Sequence, residues 1–199
     1  IEEVTESLAK LIKKGKIKQF GFSEIAPTSL ERASKVHPVA AVQSEYSLAT
    51  RYPELGLLQK CLSLGTTMVA FSPVGRSILT DNPHNRARAE KMPFLKNNPR
   101  FMSPNLERNV EVTKGFRLFA RERGYSAASL SIAWLLSRGS HILPIPGTRS
   151  PKRLEELVQG IYLKLTEDDL REIDKLLPVG WAHGDRYSTE QWVGPERYS

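Results

Sequence analysis

The stretch His141-Ile-Leu-Pro-Ile-Pro-Gly-Thr-Arg-Ser-Pro-Lys-Arg-Leu-Glu-Glu-Leu157 reads as a strand, a glycine turn and a helix. Ile142 to Ile145 is a short apolar run of the kind a buried parallel strand shows. Pro146-Gly147 ends it. Ser150 is placed to cap the next helix, and Pro151 suits its first turn, where no amide hydrogen is missed. Arg149, Lys152 and Arg153 crowd that helix start, the end of a helix dipole where cations are unfavourable. Stability alone would not put them there, whereas unused amides beside cations make a phosphate site. A solvated basic turn is the plainer alternative.

The same unit recurs upstream. Ile17 to Phe22, Val39 to Gln43 and Thr67 to Phe71 are three earlier strand candidates. A helical pattern follows each: Leu30, Ala33 and Val36 after Pro27; Glu54, Leu57, Leu58, Cys61 and Leu62 up to Gly65; and a pair after the third strand. The first helix of that pair runs from Ser103-Pro104 to about Arg123, the second from Ser126 to Gly139. A leading helix carries Ile1, Val4, Leu8, Leu11 and Ile12, and a last one runs from Thr166 to Pro178. Strand alternating with helix four times predicts a parallel sheet with helices outside. That is α/β architecture and half of a (β/α)8 TIM barrel, which needs about 250 residues. An open doubly wound sheet is the alternative, but the Gly-x-Gly-x-x-Gly turn that usually marks one is absent.

Two regions break the alternation. Residues 77–103 are polar, with turn signals at Asp81-Asn-Pro83 and Asn97-Asn-Pro99, and read as one long loop. Residues 179–199 form an aromatic, irregular tail. The 199 residues otherwise suit a single domain. The chain opens on Ile1 inside a helical pattern, which suggests a piece of a longer protein.

Lysine and arginine total 29 against 22 acidic residues, a net charge of +7, which permits nucleic acid, anionic membranes or phosphorylated ligands. The cations interleave with acids and no nucleic-acid motif is present. No apolar run approaches the roughly 18 residues of a membrane helix, so neither partner is expected. The single cysteine, Cys61, excludes an internal disulfide and fits a reducing, cytoplasmic setting.

In a barrel, chemistry sits at the carboxyl ends of the strands. Here those ends read Ser23-Glu24, Gln43-Ser-Glu-Tyr46, Phe71-Ser-Pro-Val-Gly-Arg76 and Pro146-Gly-Thr-Arg149. Hydroxyls, an amide, a flat ring and arginines suit an aromatic amide and phosphates; they do not suit a metal. Taken in order, Gly15-Lys-Ile-Lys-Gln-Phe-Gly-Phe-Ser-Glu24, Val42-Gln-Ser-Glu-Tyr-Ser47, Val69-Ala-Phe-Ser-Pro-Val-Gly-Arg76 and Ile145-Pro-Gly-Thr-Arg-Ser-Pro-Lys-Arg-Leu-Glu-Glu156 resemble successive motifs of the aldo-keto reductases. Pro99-Arg-Phe101 and Gly184-Asp-Arg-Tyr187 resemble one bacterial and fungal branch of that family.

The resemblance implies a (β/α)8 barrel of which this chain supplies the last four strand-helix units, and a reaction that moves hydride from NADPH to an aldehyde or ketone. It implies contacts from Ser23, Glu24 and Gln43 near the nicotinamide carboxamide, with Phe71 stacked on the ring where the family usually has tyrosine. Ser72, Pro73, Val74, Gly75 and Arg76 would cradle the pyrophosphate. Gly147, Thr148, Arg149 and Arg153 would hold the adenosine 2′-phosphate. Glu156 would meet the adenine, beside Leu157, which replaces the usual asparagine. The family's catalytic Asp, Tyr, Lys and His lie on the first four strand ends, so no catalytic residue is assigned here, and Tyr46 is not one. The missing half of the barrel would be the chain's chief partner.

Bland readings stand beside these. Ser23 and Gln43 could simply close strand ends, Arg76 could be a surface charge, and Glu24 with Glu45 could be an acid and base pair. Trp181 and His183 could line a substrate pocket, or pack the tail onto the barrel. A non-catalytic interaction subunit that binds NADPH is the alternative function. The loop at 77–103 is expected to order over the pyrophosphate when cofactor binds.

Overall fold

A computed structural model describes residues 1–196; Arg197, Tyr198 and Ser199, the end of the expected tail, lie outside the described residues. Four strands are present among them, β1 (Gly21–Ser23), β2 (Ala41–Glu45), β3 (Thr67–Phe71) and β4 (Ile142–Pro144). They form one parallel sheet in chain order, β1-β2-β3-β4. Helices separate them, as parallel strands require: α1 (Glu2–Lys13) leads, α2 (Pro27–Val36) follows β1, and α3 (Leu57–Leu64) follows β2. After β3 come the short α4 (Arg86–Glu90), then α5 (Asn105–Glu122) and α6 (Ala127–Ser137). Beyond β4 lie α7 (Pro151–Tyr162) and α8 (Glu167–Leu176).

The strands differ at their margins from the sequence expectation. β1 begins at Gly21 rather than Ile17, because Lys16, Lys18 and Gln19 precede it and no ladder forms there. The close approach of β1 to β2 needs glycine: a Cβ on Gly21 would lie 2.5 Å from the Ala41 carbonyl oxygen. β2 starts at Ala41 rather than Val39 and runs on to Glu45, paired with Phe71. β4 stops at Pro144, since prolines have no amide to donate, although the Ile145 N–H still bonds the Ala70 carbonyl at 3.0 Å. The helix expected from Glu54 is split: Tyr52–Leu55 is a 3-10 turn, and Gly56, at φ 133°, breaks it from α3.

Alternation along the strands sorts the two faces. Val42, Met68, Ala70 and Ile142 point to a core they share with Leu30, Ala33, Leu57, Cys61 and Trp134 from the helices. The other face carries Ser23 and Gln43, both exposed, and Leu143, which is 53% exposed despite being apolar. Among the helices, α6 is apolar all round and central, with Leu130, Trp134 and Leu135 buried. Ser126 caps it, its Oγ accepting the Ser129 N–H at 3.0 Å. A capping box between Thr166 and Asp169 starts α8.

Residues 77–103 are not an open loop. The stretch holds α4 and 3-10 turns at Leu95–Asn97 and Pro99–Phe101. It buries Ile78, Leu79, Ala89, Leu95 and Phe101. A polar composition concealed this because the apolar residues are spaced for short turns, not for one helix.

Candidate functional site

The carboxyl ends of the four strands come together on one side of the sheet. Ser23 stands in register with Gln43, and Gln43 with Val69, so the first two expected contact residues are neighbours across the ladder. Phe71, at the end of β3, is half-buried and in register with Glu45. Just beyond the strands the backbone turns left-handed at Glu24 (φ 53°), Ser72 (φ 51°), Arg76 (φ 51°) and Ser77 (φ 94°), all the non-glycine cases among the described residues. Each costs on the order of 1–3 kcal/mol, and such strain gathers at functional sites.

A cleft of about 970 Å³ opens beside these turns. One wall is Ser72, Pro73, Val74 and Arg76, following β3. A second wall is Gly147, Thr148 and Arg149 with Arg153, Glu156 and Leu157 of α7. The third comes from the connection after β3 and includes Asp81, His84, Arg88 and Phe94. Gly75 lies buried behind the first wall, where a Cβ would press on Leu79 at 3.2 Å. The structure thus joins in one cavity the two stretches expected to meet phosphate, which 70 residues separate between Arg76 and Gly147. Ser23, Glu24, Gln43 and Phe71 are not among its lining residues.

At the start of α7, Ser150 occupies the cap position but makes no capping bond, contrary to expectation. Its own N–H donates to Thr148 Oγ1 at 3.2 Å. The first amides of α7 are therefore left without a side-chain cap, beside Arg149 and Arg153. Neither arginine makes an ion pair among the described residues. Leu157 is buried with Ala128 and Ile132, with Val74 packed against them, so it shapes the cleft floor as an apolar residue.

Other expected site residues are already committed. The Glu24 carboxylate is bonded by both terminal nitrogens of Arg186 and accepts the Glu45 N–H at 2.8 Å. It is buried, so it holds the tail rather than offering itself to a ligand. Arg76 Nη2 donates to Glu45 Oε2 at 2.7 Å, and its guanidinium lies 4.9 Å from the Phe94 ring centre and 5.5 Å from that of Tyr187. Arg76 is then no loose surface charge. Glu45 also meets Arg186 at 3.7 Å and Arg100 at 3.9 Å, and accepts from the Thr50 hydroxyl at 3.1 Å. Glu24 and Glu45 are each matched to arginine, so the acid and base pair reading fails.

Burial works against the charge on Arg186, but the Glu24 bonds and Glu45 outweigh it and hold its pKa above the ordinary value. For Arg100 burial wins and pulls it down, with Glu45 opposing. Tyr46 is fully buried and its hydroxyl donates to Glu54 at 2.8 Å; burial first, then Glu54, pushes its pKa well up, so it is unsuited to proton transfer. Burial pushes the Cys61 thiol up to about 12, which makes it inert. No cluster of potential metal ligands exists among the described residues.

Trp181 and the His183 backbone tie the tail to the rest of the chain. Trp181 is 9% exposed and its indole N–H donates to the Leu48 carbonyl at 2.8 Å. Asn109 holds the His183 backbone at both its N–H (2.7 Å) and its carbonyl (3.0 Å). Those bonds anchor the tail, and neither residue lines the cleft. Sequence reasoning gave no role to Arg186 or Arg100, and gave Glu45 only the acid and base pairing with Glu24 that fails here. Its one signal was the pair of motifs Pro99-Arg-Phe101 and Gly184-Asp-Arg-Tyr187, which the fold brings together: Arg100 Nε bonds the Gly184 carbonyl at 3.3 Å.

The model of the Aldo/keto reductase family matches residues 1–178. The chain belongs to that family. It is 37% identical over 190 residues to probable aldo-keto reductase 1 of Glycine max, covering 94% of this chain and 54% of that protein. It is 34% identical over 190 residues to the Schizosaccharomyces pombe aldo-keto reductase yakc, whose name carries NADP(+), covering 94% of this chain and 56% of that protein. The chain therefore spans about half the length of the curated relatives it matches. Among solved structures, it resembles glycerol dehydrogenase of Gluconobacter oxydans with a TM-score of 0.75 at 24% identity, over 88% of this chain and 54% of that one. An aldo-keto reductase of Klebsiella pneumoniae, solved in complex with NADPH, superposes with a TM-score of 0.67 at 22% identity, over 94% of this chain and 57% of that one. These likenesses establish the fold; no helix among the described residues is long and apolar enough to cross a membrane.

Proposed function

We infer that this chain is the cofactor-binding half of an NADPH-dependent aldo-keto reductase, supplying the last four strand-helix units of a (β/α)8 barrel over residues 1–199. The observation that carries the reading is the cleft in which Ser72–Arg76 meet Gly147, Thr148, Arg149 and Arg153. Its residues fit a dinucleotide with an extra phosphate. Two arginines without ion-pair partners stand beside uncapped helix amides, and an apolar floor at Val74 and Leu157 lies between them and the strand ends.

In this reading Arg149 and Arg153 hold the adenosine 2′-phosphate, with Gly147 and Thr148 giving the backbone room to approach. Glu156 lies at the adenine end. Ser72, Pro73, Val74 and Gly75 present the strained turn after β3 to the pyrophosphate, and Arg76 reaches it from its bond to Glu45. Ser23 and Gln43 orient the carboxamide, and the Phe71 ring offers an apolar face for stacking. Glu24 acts one step removed, by fixing Arg186 and the tail. Bound NADPH supplies the hydride for an aldehyde or ketone; this chain's residues bind and orient it. The proton for the carbonyl oxygen comes from outside this chain, because Tyr46 is buried and bonded to Glu54.

Barrel closure by a preceding half is supported by apolar residues at both open margins. Val4 and Leu11 of α1 and Leu154, Val158 and Ile161 of α7 are exposed, as is Leu143 on the uncovered sheet face. The test of the cofactor reading is the dissociation constant of NADPH and NADH, by fluorescence titration, for the complete protein and its Arg149→Ala/Arg153→Ala variant. A hydrogen bond to a charged group contributes about 1.5–3 kcal/mol. Both arginines are exposed, so about tenfold lost per arginine is expected for NADPH. NADH, lacking the phosphate, should bind nearly as before. Equal losses for both cofactors would refute the assignment.

A further inference from the structure

The third wall of the cleft has no role in the reading above. Its position is set by local chemistry. The His84 N–H donates to Ser77 Oγ at 3.0 Å, which ties the segment to the turn after β3. One residue on, Asn85 caps α4, its Oδ1 accepting the Arg88 N–H at 3.0 Å. His84 and Arg88 are thereby held facing the cleft that Arg149, in the turn before α7, and Arg153, in its first turn, also line.

Nothing in the folded chain rewards that placement. His84 Nδ1 is buried and has no hydrogen-bond partner. Arg88 makes no ion pair among the described residues. The charged groups facing His84 across the cleft are Arg76, Arg88, Arg149 and Arg153, against Asp81 and Glu156. Arg76 is matched to Glu45, and the Asp81 carboxylate is occupied by the Ala127 N–H at 2.9 Å, at the start of α6. An imidazole lacking a partner, among cations lacking partners, describes a place where an anion belongs.

We propose that the segment between β3 and α5 supplies a second wall of the phosphate site, where His84 and Arg88 close on a phosphate monoester from the side opposite Arg149 and Arg153, and where His84 takes up a proton as that phosphate binds. The proposal rests on the cofactor reading and adds to it a pH-dependent specificity device. A phosphate monoester carries about −1.5 to −2 charge near neutrality and offers three acceptor oxygens, which Arg149 and Arg153 alone do not use up. In the free protein burial, then Arg88 and Arg153, hold the His84 pKa below its ordinary value, so the ring is neutral near pH 7. A bound dianion reverses the sign of the local field and raises it. Binding then takes up a proton between the two pKa values, and the complex tightens as pH falls through that window. Above the bound value the ring is neutral in both states and contributes no pH dependence.

The test measures dissociation constants of NADPH and NADH between about pH 6 and 9, a range that spans the ordinary histidine value. The proteins are the complete parent, His84→Gln, Arg88→Gln and Arg153→Ala. The phosphate of the free cofactor titrates too, but that contribution is common to every protein, so the difference between proteins is read. Arg88→Gln should weaken NADPH about tenfold, the loss expected of one charge-assisted bond, and leave NADH unchanged. His84→Gln should flatten the tightening of NADPH that the parent shows on acidification. Should Arg153→Ala lose NADPH affinity while Arg88→Gln and His84→Gln match the parent at every pH, the second wall is wrong and the cofactor reading stands. Equal losses of NADH and NADPH in His84→Gln or Arg88→Gln mean that these residues only shape the segment, which also overturns the proposal. If the parent does not prefer NADPH and Arg153→Ala changes nothing, it is the cofactor reading that fails.

Discussion

Arg186 is the residue on which the strand ends depend most. It is 1% exposed, grips Glu24 with two nitrogens, and stands 4.6 Å from the ring centre of Tyr187 and 4.9 Å from that of Trp192. Its backbone carbonyl is held by Asn98 at 2.6 Å, so the tail, the end of β1 and the 77–103 connection share one anchor. Removing one partner of a buried pair leaves the other charge without compensation and costs about 3–5 kcal/mol, whereas replacing both with apolar residues costs far less. Arg186→Ala is therefore expected to lower the unfolding free energy of the complete protein, read from denaturant titration, by that amount, and Glu24→Leu/Arg186→Met to recover most of it. A loss below about 1 kcal/mol, the range of surface pairs, would show the anchor to be solvent-screened. No reading of one sequence pairs Glu24 with Arg186, which lie 162 positions apart. Charge and composition mark both residues as surface types, and only burial turns them into a joint.

At the scale of elements, α7 decides the geometry of the phosphate wall because it carries Arg153, Glu156 and Leu157. It sits close on α6 through Gly160, where a Cβ would fall 2.6 Å from the Ser129 carbonyl oxygen and 2.7 Å from Ile132 Cβ. The Ser129 hydroxyl fastens the same junction by donating to the Glu156 carbonyl at 2.6 Å. In an exposed helix, glycine to alanine gains about 1 kcal/mol. Here backbone blocks the new methyl, and overpacking of this kind costs about 1–3 kcal/mol, so the clash wins. Gly160→Ala is expected to lower thermal stability and to weaken NADPH, since α7 and Arg153 must shift outward. A crystal structure of the variant with α6 and α7 unmoved would refute this. The sequence shows α7 plainly, through its apolar spacing and Pro151. It does not show that Gly160 is a contact point, because a lone glycine in a helical pattern looks like a weak spot.

For the whole molecule, the sheet leaves β1 and β4 as open edges and one face uncovered. Open edges and apolar faces template association. The 1–199 chain expressed alone is expected to self-associate and to show no aldehyde reduction with NADPH. A monomer in sedimentation that turns over an aromatic aldehyde at an enzyme-like rate would overturn both the half-barrel reading and the external proton donor. What the sequence settled by itself was the order of elements: β3 runs exactly as its Thr67–Phe71 pattern implies, Ser126 and Thr166 cap the helices they precede, and four ordered motifs pointed to the family. Those features are local, set by periodicity, caps and short-range turn chemistry. Tertiary structure alone decided which polar residues remain available. It buried Glu24 and Trp181 in structural roles, tied Arg76 to Glu45, folded 77–103 into a wall, and left Arg149, Arg153, His84 and Arg88 facing one cleft. Whether a charge is spent on the fold or kept for a ligand depends on what lies within about 3–4 Å of it, and that distance is set by packing between segments far apart in the chain.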